Sequence, residues 1–163
     1  TRLFELVSQY SEEQQRYRPS AKEWSMLDVV EHLAEAEAGT NLLMKKYPPN
    51  KSTKAVTLKN TIYCWLFHGF FLLPTKVKAP SMLKPPQSDL SLKEWSVKWN
   101  KEREIFKNTV ENLNEAKLNV MVFKHPVTGA MNMFHTILFQ TNHVKHHLHQ
   151  IKRIAKSQGF PKS

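Results

Sequence analysis

The chain has 163 residues, enough for one domain with its own hydrophobic core, and we predict a single domain spanning residues 1–163. Nine Phe and four Trp exclude a wholly disordered chain, while the single Cys excludes both an internal disulfide framework and a cysteine-based zinc finger. The net charge of +10 comes from 19 Lys and only five Arg and accompanies no nucleic-acid-binding motif, which argues against sequence-specific recognition of nucleic acid.

The first half of the chain predicts three helices. Apolar residues at helical spacing indicate a first helix over about residues 2–15. Ser25 and Asp28 have the spacing of a capping box, which begins a second helix that continues to about residue 47, where two prolines end it. A third helix over about 57–73 is apolar nearly all round, so we expect it at the centre of the fold or at a subunit interface.

The second half adds a linker, an irregular segment and two more helices. Four prolines within residues 74–88 indicate a linker, and a second capping box begins a helix over about 91–113. Residues 116–130 are predicted to be irregular, with a short extended piece at 120–123, before a last helix over about 132–156. Helices joined by loops predict an all-α fold, a helical bundle.

Charge and hydropathy along the chain bear on location and partners. Residues 38–88 contain eight Lys and no acidic residue, a distribution that attracts anionic partners or an acidic substrate. The sequence contains no run of 18 apolar residues and does not begin with the pattern of a signal peptide. We therefore expect no membrane partner and a reducing, cytoplasmic location.

Four of the eight histidines cluster in the last predicted helix. A helical wheel places His143 and His147 on one half-buried edge, four residues apart, where two imidazoles reach the same metal ion. The alternative is a pair of hydrogen-bonded or exposed helix histidines, because this spacing alone is only moderately specific. The same wheel puts Ile137 in the apolar stripe and His135 and His146 on a remaining side.

His32 is the best candidate for the third ligand that such a metal site requires. It lies in the middle of the second predicted helix, where small neighbours leave room for a close helix contact or a pocket. The alternative is a structural core histidine. The nearby acidic residues are expected on a solvated face, with one of them available as a base: Glu31, Glu35 and Glu37.

Three further residues are candidates for supporting the site. Gln150 lies one turn after His147 and is placed to orient a ligand or a bound water. His68 interrupts the apolar third helix and is either an extra or supporting group or a structural histidine, while His125 lies in a loop and is placed to cover a pocket. Cys64 lies in an apolar run, where a buried thiol is usually inert, so it is not expected to be a nucleophile.

Two motifs resemble the signatures of the DinB-like superfamily. The first is Trp24-Ser25-Met-Leu-Asp28-Val-Val-Glu-His32-Leu33, and the second is His125-Pro126-x-x-Gly129 followed by His143-x-x-x-His147-x-x-Gln150-Ile151. Each motif is degenerate, but their order and their separation of roughly a hundred residues make the joint match fairly specific. The resemblance extends from about Leu3 to Ala155.

The resemblance implies a four-helix bundle in up-down-down-up order, here with a short additional helix and long loops, and commonly assembled as a homodimer. It also implies a divalent metal, usually zinc or nickel, held by His32, His143 and His147. Characterised relatives include bacillithiol and other thiol-dependent S-transferases and a maleylpyruvate isomerase that uses a thiol cofactor. Others are described only as metal-dependent hydrolases or as damage-inducible proteins of unknown activity.

The leading hypothesis is therefore a metal-dependent enzyme that transfers an anionic low-molecular-weight thiol to an electrophilic small-molecule substrate. A metal-dependent hydrolase would use the same site with water. A third alternative is a non-enzymatic bundle with a structural metal and a basic anion-binding face, which a fourth protein ligand would favour. The sequence identifies no catalytic or substrate-binding residue, although Lys45 and Lys46 are candidates for binding the carboxylates of the thiol.

Overall fold

The computed structural model describes residues 2–72, 88–125 and 127–162, so most of the predicted linker at 74–88 lies outside the described residues. The described residues form six α-helices and one two-stranded antiparallel sheet. The helices are α1 Arg2–Val7, α2 Glu12–Arg16, α3 Met26–Lys46, α4 Leu58–Leu72, α5 Leu92–Glu111 and α6 Met133–Ile154, and the strands are β1 Phe123–His125 and β2 Gly129–Met131.

The predicted starts of two long helices are confirmed by their capping boxes. At the start of α3, the Ser25 hydroxyl accepts a hydrogen bond from the Asp28 amide at 3.1 Å, and the Asp28 carboxylate accepts one from the Ser25 amide at 2.7 Å. Ser91 and Glu94 make the same reciprocal pair at the start of α5. These bonds satisfy amides that a helix leaves unpaired in its first turn, which is why both helices begin where the sequence predicts.

The prediction of one continuous helix over residues 2–15 was wrong. The chain leaves α1 after Val7 and re-enters a helix at Glu12, because Ser11 forms a capping box of its own with Gln14. A serine side chain that bonds a nearby backbone amide competes with an uninterrupted helix. Both short helices still pack on the bundle, with Leu3 and Gln14 buried.

Helices α3 and α5 lie side by side and run in the same direction. Asn41 donates a hydrogen bond to the Glu102 backbone oxygen, one turn beyond the bond from Trp99 to Glu37. The core between them continues under α1 and α6, where its most deeply buried side chains include Val30 and Leu33.

Helix α6 runs antiparallel to α3 and parallel to α1. Near the middle of both helices, Gln140 donates a hydrogen bond to Thr40 at 2.9 Å, and His143 lies opposite His32 farther toward the start of α3. Arg2 lies near the middle of α6, whereas the later Tyr10 packs on Phe160 beyond its end. Helices α1, α3, α5 and α6 thus follow the expected up-down-down-up order, with α4 as the additional helix.

The placement of the third predicted helix at the centre of the fold was wrong. Helix α4 packs against α6 with one side only, through residues such as Cys64 and Phe67. Its other side is exposed and carries large apolar residues, namely Leu58, Ile62, Tyr63, Trp65, Leu66 and Phe70. Within the ranges described here, no helix is long and apolar enough to span a membrane.

A β-hairpin replaces most of the segment predicted to be irregular. Phe123 pairs with Met131, and His125 pairs with Gly129. Gly129 has a φ of +77°, a conformation that L-residues with a side chain adopt only with strain, so glycine suits the end of this turn. The predicted extended piece at 120–123 reaches only the first residue of β1. The hairpin packs against α3 through β1 and against α4 and α6 through β2.

Candidate metal centre

Three histidine side chains converge between α3 and α6. His143 Nε2 lies 3.1 Å from His32 Nε2 and 3.2 Å from His147 Nε2. One nitrogen from each of the three residues lies within 4.8 Å of the others. The antiparallel contact of two long helices thus brings together residues separated by more than a hundred positions in sequence.

The cluster is more buried than the helical wheel predicted. His143 and His147 are buried rather than lying on a half-buried edge, and Ile137, expected in the apolar stripe, is exposed. His135 and His146, expected on a separate side, are also buried. The reason is that α4 packs on that side of α6 and shifts the buried face toward the histidines.

Burial favours the neutral form of all three imidazoles. Burial lowers the pKa of His32 to about 4. Burial, and then the neighbouring His32, lowers the pKa of His147 to about 3, against the opposing hydrogen bond of Gln150. Burial, followed by the other two histidines, lowers the pKa of His143 well below its ordinary value. At neutral pH the three rings therefore carry lone pairs that are available to a metal.

The geometry fits a tetrahedral metal with one position left open. Zinc bound by imidazole at about 2.0–2.1 Å in a tetrahedral site holds the ligand nitrogens roughly 3.3 Å apart. The two Nε2 distances around His143, 3.1 and 3.2 Å, are close to that value. Of the His, Cys, Asp and Glu residues in the described part of the chain, only these three belong to the group.

Gln150 fixes the position of the proton on His147. Its Oε1 lies 2.7 Å from His147 Nδ1. Because an amide oxygen only accepts hydrogen bonds, Nδ1 donates, and the lone pair of His147 is left on Nε2, which faces the other two histidines. Gln150 thus contacts His147, and its predicted role in orienting a metal ligand stays a prediction. His143 Nδ1 is buried and has no hydrogen-bond partner among the described residues.

Aromatic side chains surround the three histidines, and the sequence reasoning assigned them no role there. The Trp24 ring lies 4.9 Å from the His32 ring and 6.2 Å from the His147 ring, measured between centroids. On the other side, Phe139 is stacked 5.2 Å from His143. Trp24 is the first residue of the first motif quoted above and immediately precedes the residue that caps α3, and this position was the signal available in the sequence. These rings border the cluster on two sides.

His68 and His125 do not join the three-histidine group. The His125 ring packs between Phe67 and Phe139, and its Nδ1 accepts hydrogen bonds from the backbone amides of Val127 and Thr128. His125 therefore organises the hairpin turn. His68 is buried beside His135, and neither of its ring nitrogens has a partner among the described residues.

The charged candidates from the sequence lie away from the cluster or are engaged elsewhere. Glu31 and Glu37 are buried rather than solvated, and Glu37 bonds Trp99 and Arg103. Lys45 lies 13 residues after His32 on the unbroken helix α3, a separation of about 20 Å. Lys45 and the adjacent Lys46 therefore lie near the end of α3, far along the helix from His32.

Comparisons with known proteins agree with the motifs. The profile of the DinB superfamily matches residues 1–151. YuaE of Bacillus subtilis (strain 168), described as an uncharacterized protein, is 27% identical over 144 residues, which span 88% of this chain and 85% of YuaE. No solved structure matches the chain at a significant level.

Proposed function

The chain belongs to the DinB superfamily, and from that premise we propose that His32, His143 and His147 hold one divalent metal ion, zinc or nickel. We further propose that the protein is an enzyme and that at this site it transfers a low-molecular-weight thiol to an electrophilic small molecule. The observation that carries the proposal is the convergence of three neutral imidazoles, with His143 Nε2 3.1 Å from His32 Nε2 and 3.2 Å from His147 Nε2, and with no fourth ligand in the group among the described residues. An open coordination position is typical of catalytic rather than structural zinc.

Each part of the site contributes to this chemistry in a definite way. A divalent metal in such a site supplies Lewis acidity, which lowers the pKa of a thiol or water in the open position. The three imidazoles hold the ion without neutralising its charge, and Gln150 keeps His147 in the tautomer that presents Nε2. Trp24 and Phe139 restrict water beside the ligands. Transfer forms a carbon–sulfur bond, while the thiol proton goes to solvent and the leaving group departs with its electron pair.

The experiments described below also distinguish two alternative functions. A hydrolase would use water in place of the thiol. A non-enzymatic bundle with a structural metal is disfavoured because the described residues supply three ligands and not four. A reducing cytoplasm suits the proposed thiol transfer. The low-molecular-weight thiol and the free, buried Cys64 would both stay reduced there.

Metal analysis with a matched histidine control tests the site. The wild-type protein is expected to retain about one zinc or nickel per chain, and His143→Ala to retain none, because two ligands and water bind a metal far more weakly than three. His149→Ala is the control, since His149 is an exposed histidine on the same helix. Full retention of metal by His143→Ala would refute the assignment.

A reaction assay separates the candidate functions. The metal-loaded protein is mixed with cysteine and 1-chloro-2,4-dinitrobenzene, and formation of the thioether is followed by absorbance. We expect a rate above that of the His143→Ala protein. If no thiol among cysteine, glutathione and bacillithiol is transferred, while an ester or amide is hydrolysed with loss of activity in His143→Ala, the hydrolase is the correct function.

A further inference from the structure

A cavity of about 290 Å³ lies between α1, α3, α5 and α6. None of the three clustered histidines lines it. Its volume is near the lower end of the range for small-molecule pockets, so it suits a single small ligand. The cavity is independent of the metal proposed above.

The wall of this cavity contains a buried carboxylate that is only half satisfied. Glu37 is 1% exposed. Its Oε2 accepts hydrogen bonds from Trp99 Nε1 at 2.6 Å and from Arg103 Nη2 at 2.7 Å. Its Oε1 has no partner among the described residues. A buried carboxylate oxygen without a donor is unfavourable, so a ligand with an N–H group would gain a charge-assisted hydrogen bond there.

Positive charge and apolar surface complete the cavity. Arg2 and Lys145 also line it, and both are exposed to solvent, whereas Arg103 is already paired with Glu37. Two cations at the outer side favour a carboxylate on the ligand. The remaining wall is largely apolar and includes Leu3, Phe106, Ile137 and Val144.

We propose that this cavity binds a free α-amino acid with an apolar side chain. Its ammonium group donates to Glu37 Oε1, its carboxylate is held by Arg2 and Lys145, and its side chain contacts the apolar wall. The zwitterion matches the arrangement because the unpartnered Oε1 belongs to a residue that lines the same small volume as Arg2 and Lys145, while Arg103, the third cation of the lining, is already paired with Glu37.

Calorimetric titration of the full chain with three related compounds tests the ligand class. Leucine is expected to bind, whereas 4-methylpentanoate, which lacks the amine, and 3-methylbutylamine, which lacks the carboxylate, are each expected to bind at least about tenfold more weakly. If none of the twenty common amino acids binds, or if both truncated compounds bind as tightly as leucine, the proposal is wrong.

Substitutions locate the binding in the cavity. Lys145→Met and Glu37→Gln are each expected to weaken leucine binding about tenfold, while Lys152→Met, an exposed lysine on the same helix outside the cavity, leaves it unchanged. Circular dichroism checks the fold, and if Glu37→Gln fails to fold, Lys145→Met decides. Unchanged leucine affinity in Lys145→Met, or a crystal grown with leucine that shows only water at Glu37 Oε1, would overturn the proposal.

Discussion

Gln150 determines which nitrogen of His147 carries the proton, through a contact of 2.7 Å. Replacing Gln150 by Leu removes the acceptor and allows the proton to move to Nε2, where it blocks the lone pair. Loss of such an orienting partner typically weakens metal affinity about 10–100-fold. We expect that loss for Gln150→Leu in a competition titration against a zinc chelator, with the fold intact because Gln150 is only partly buried.

The control for this prediction is His149→Leu. His149 adjoins Gln150 on the same helix, but its side chain is exposed. The zinc affinity of the His149→Leu protein is expected to equal that of the wild type. Equal affinity in Gln150→Leu would show that the tautomer of His147 needs no help from the amide.

His68 gives the stability of the protein a pH dependence of known sign. Burial, and then the neighbouring His135, lowers the pKa of His68 to about 4, and His68 also faces His125. Between this pKa and the ordinary value of about 6.5, the unfolded chain binds the proton more readily than the folded chain. The stabilising contribution of neutral His68 is thus present above pH ~6.5 and is lost as the pH falls through 4.

We expect His68→Leu to lose less stability than the wild type when the pH is lowered from 7 to 4, by on the order of 2–3 kcal/mol. The leucine has no titrating group and also removes two buried nitrogens that have no partner among the described residues. Urea denaturation at several pH values measures the difference. Parallel pH profiles for the two proteins would contradict the assignment.

At the scale of the helix, Ser25 caps the helix that carries His32, the first of the three proposed metal ligands. Ser25 and Asp28 form the capping box of α3, and Arg18 holds the Asp28 carboxylate through two hydrogen bonds of 2.8 Å. His32 lies two turns into the same helix. Ser25→Ala is expected to lower the free energy of unfolding by about 1 kcal/mol, the usual effect of losing an N-cap side chain.

Denaturant titration measures this loss, and Ser91→Ala supplies the comparison. Ser91 makes the same capping box at the start of α5, which carries none of the three histidines. Both variants should lose similar stability, but only Ser25→Ala should also weaken zinc binding. If neither variant is destabilised, the capping boxes contribute less than their geometry implies.

What the sequence predicts about each element depends on how local the cause is. The starts of α3 and α5 were predictable because a capping box involves residues three positions apart. The buried face of α6 was not, because it is set by α4, which packs over His135 and His146. The grouping of the three histidines was predictable because the spacing of His143 and His147 is local and the motif around His32 resembles a family signature, whereas the pairing of Glu37 with Arg103 depends on the contact of α3 with α5.

At the scale of the whole molecule, α4 leaves an apolar stripe uncovered. Leu58, Ile62 and Leu66 follow one another at intervals of four residues, and they are 76%, 51% and 65% exposed. Trp65 and Phe70 extend the same surface. A contiguous apolar surface of this kind is uncommon on a monomer and typical of an interface. We propose that this stripe, packed against its copy in a second chain, forms the interface of a homodimer.

A charge placed in the stripe should separate the dimer. Leu66→Glu is expected to elute as a monomer in size-exclusion chromatography with light scattering, because two carboxylates buried near the symmetry axis would be unpaired. Val97→Glu is the matched control, since Val97 is 66% exposed on α5, away from the stripe, and its dimer should persist. A wild-type protein that is monomeric at all concentrations would refute the proposal, and a dimeric Leu66→Glu would place the interface elsewhere. Since His68 and Cys64 lie on the covered side of the same helix, the dimer would also stabilise α4 over the histidine cluster.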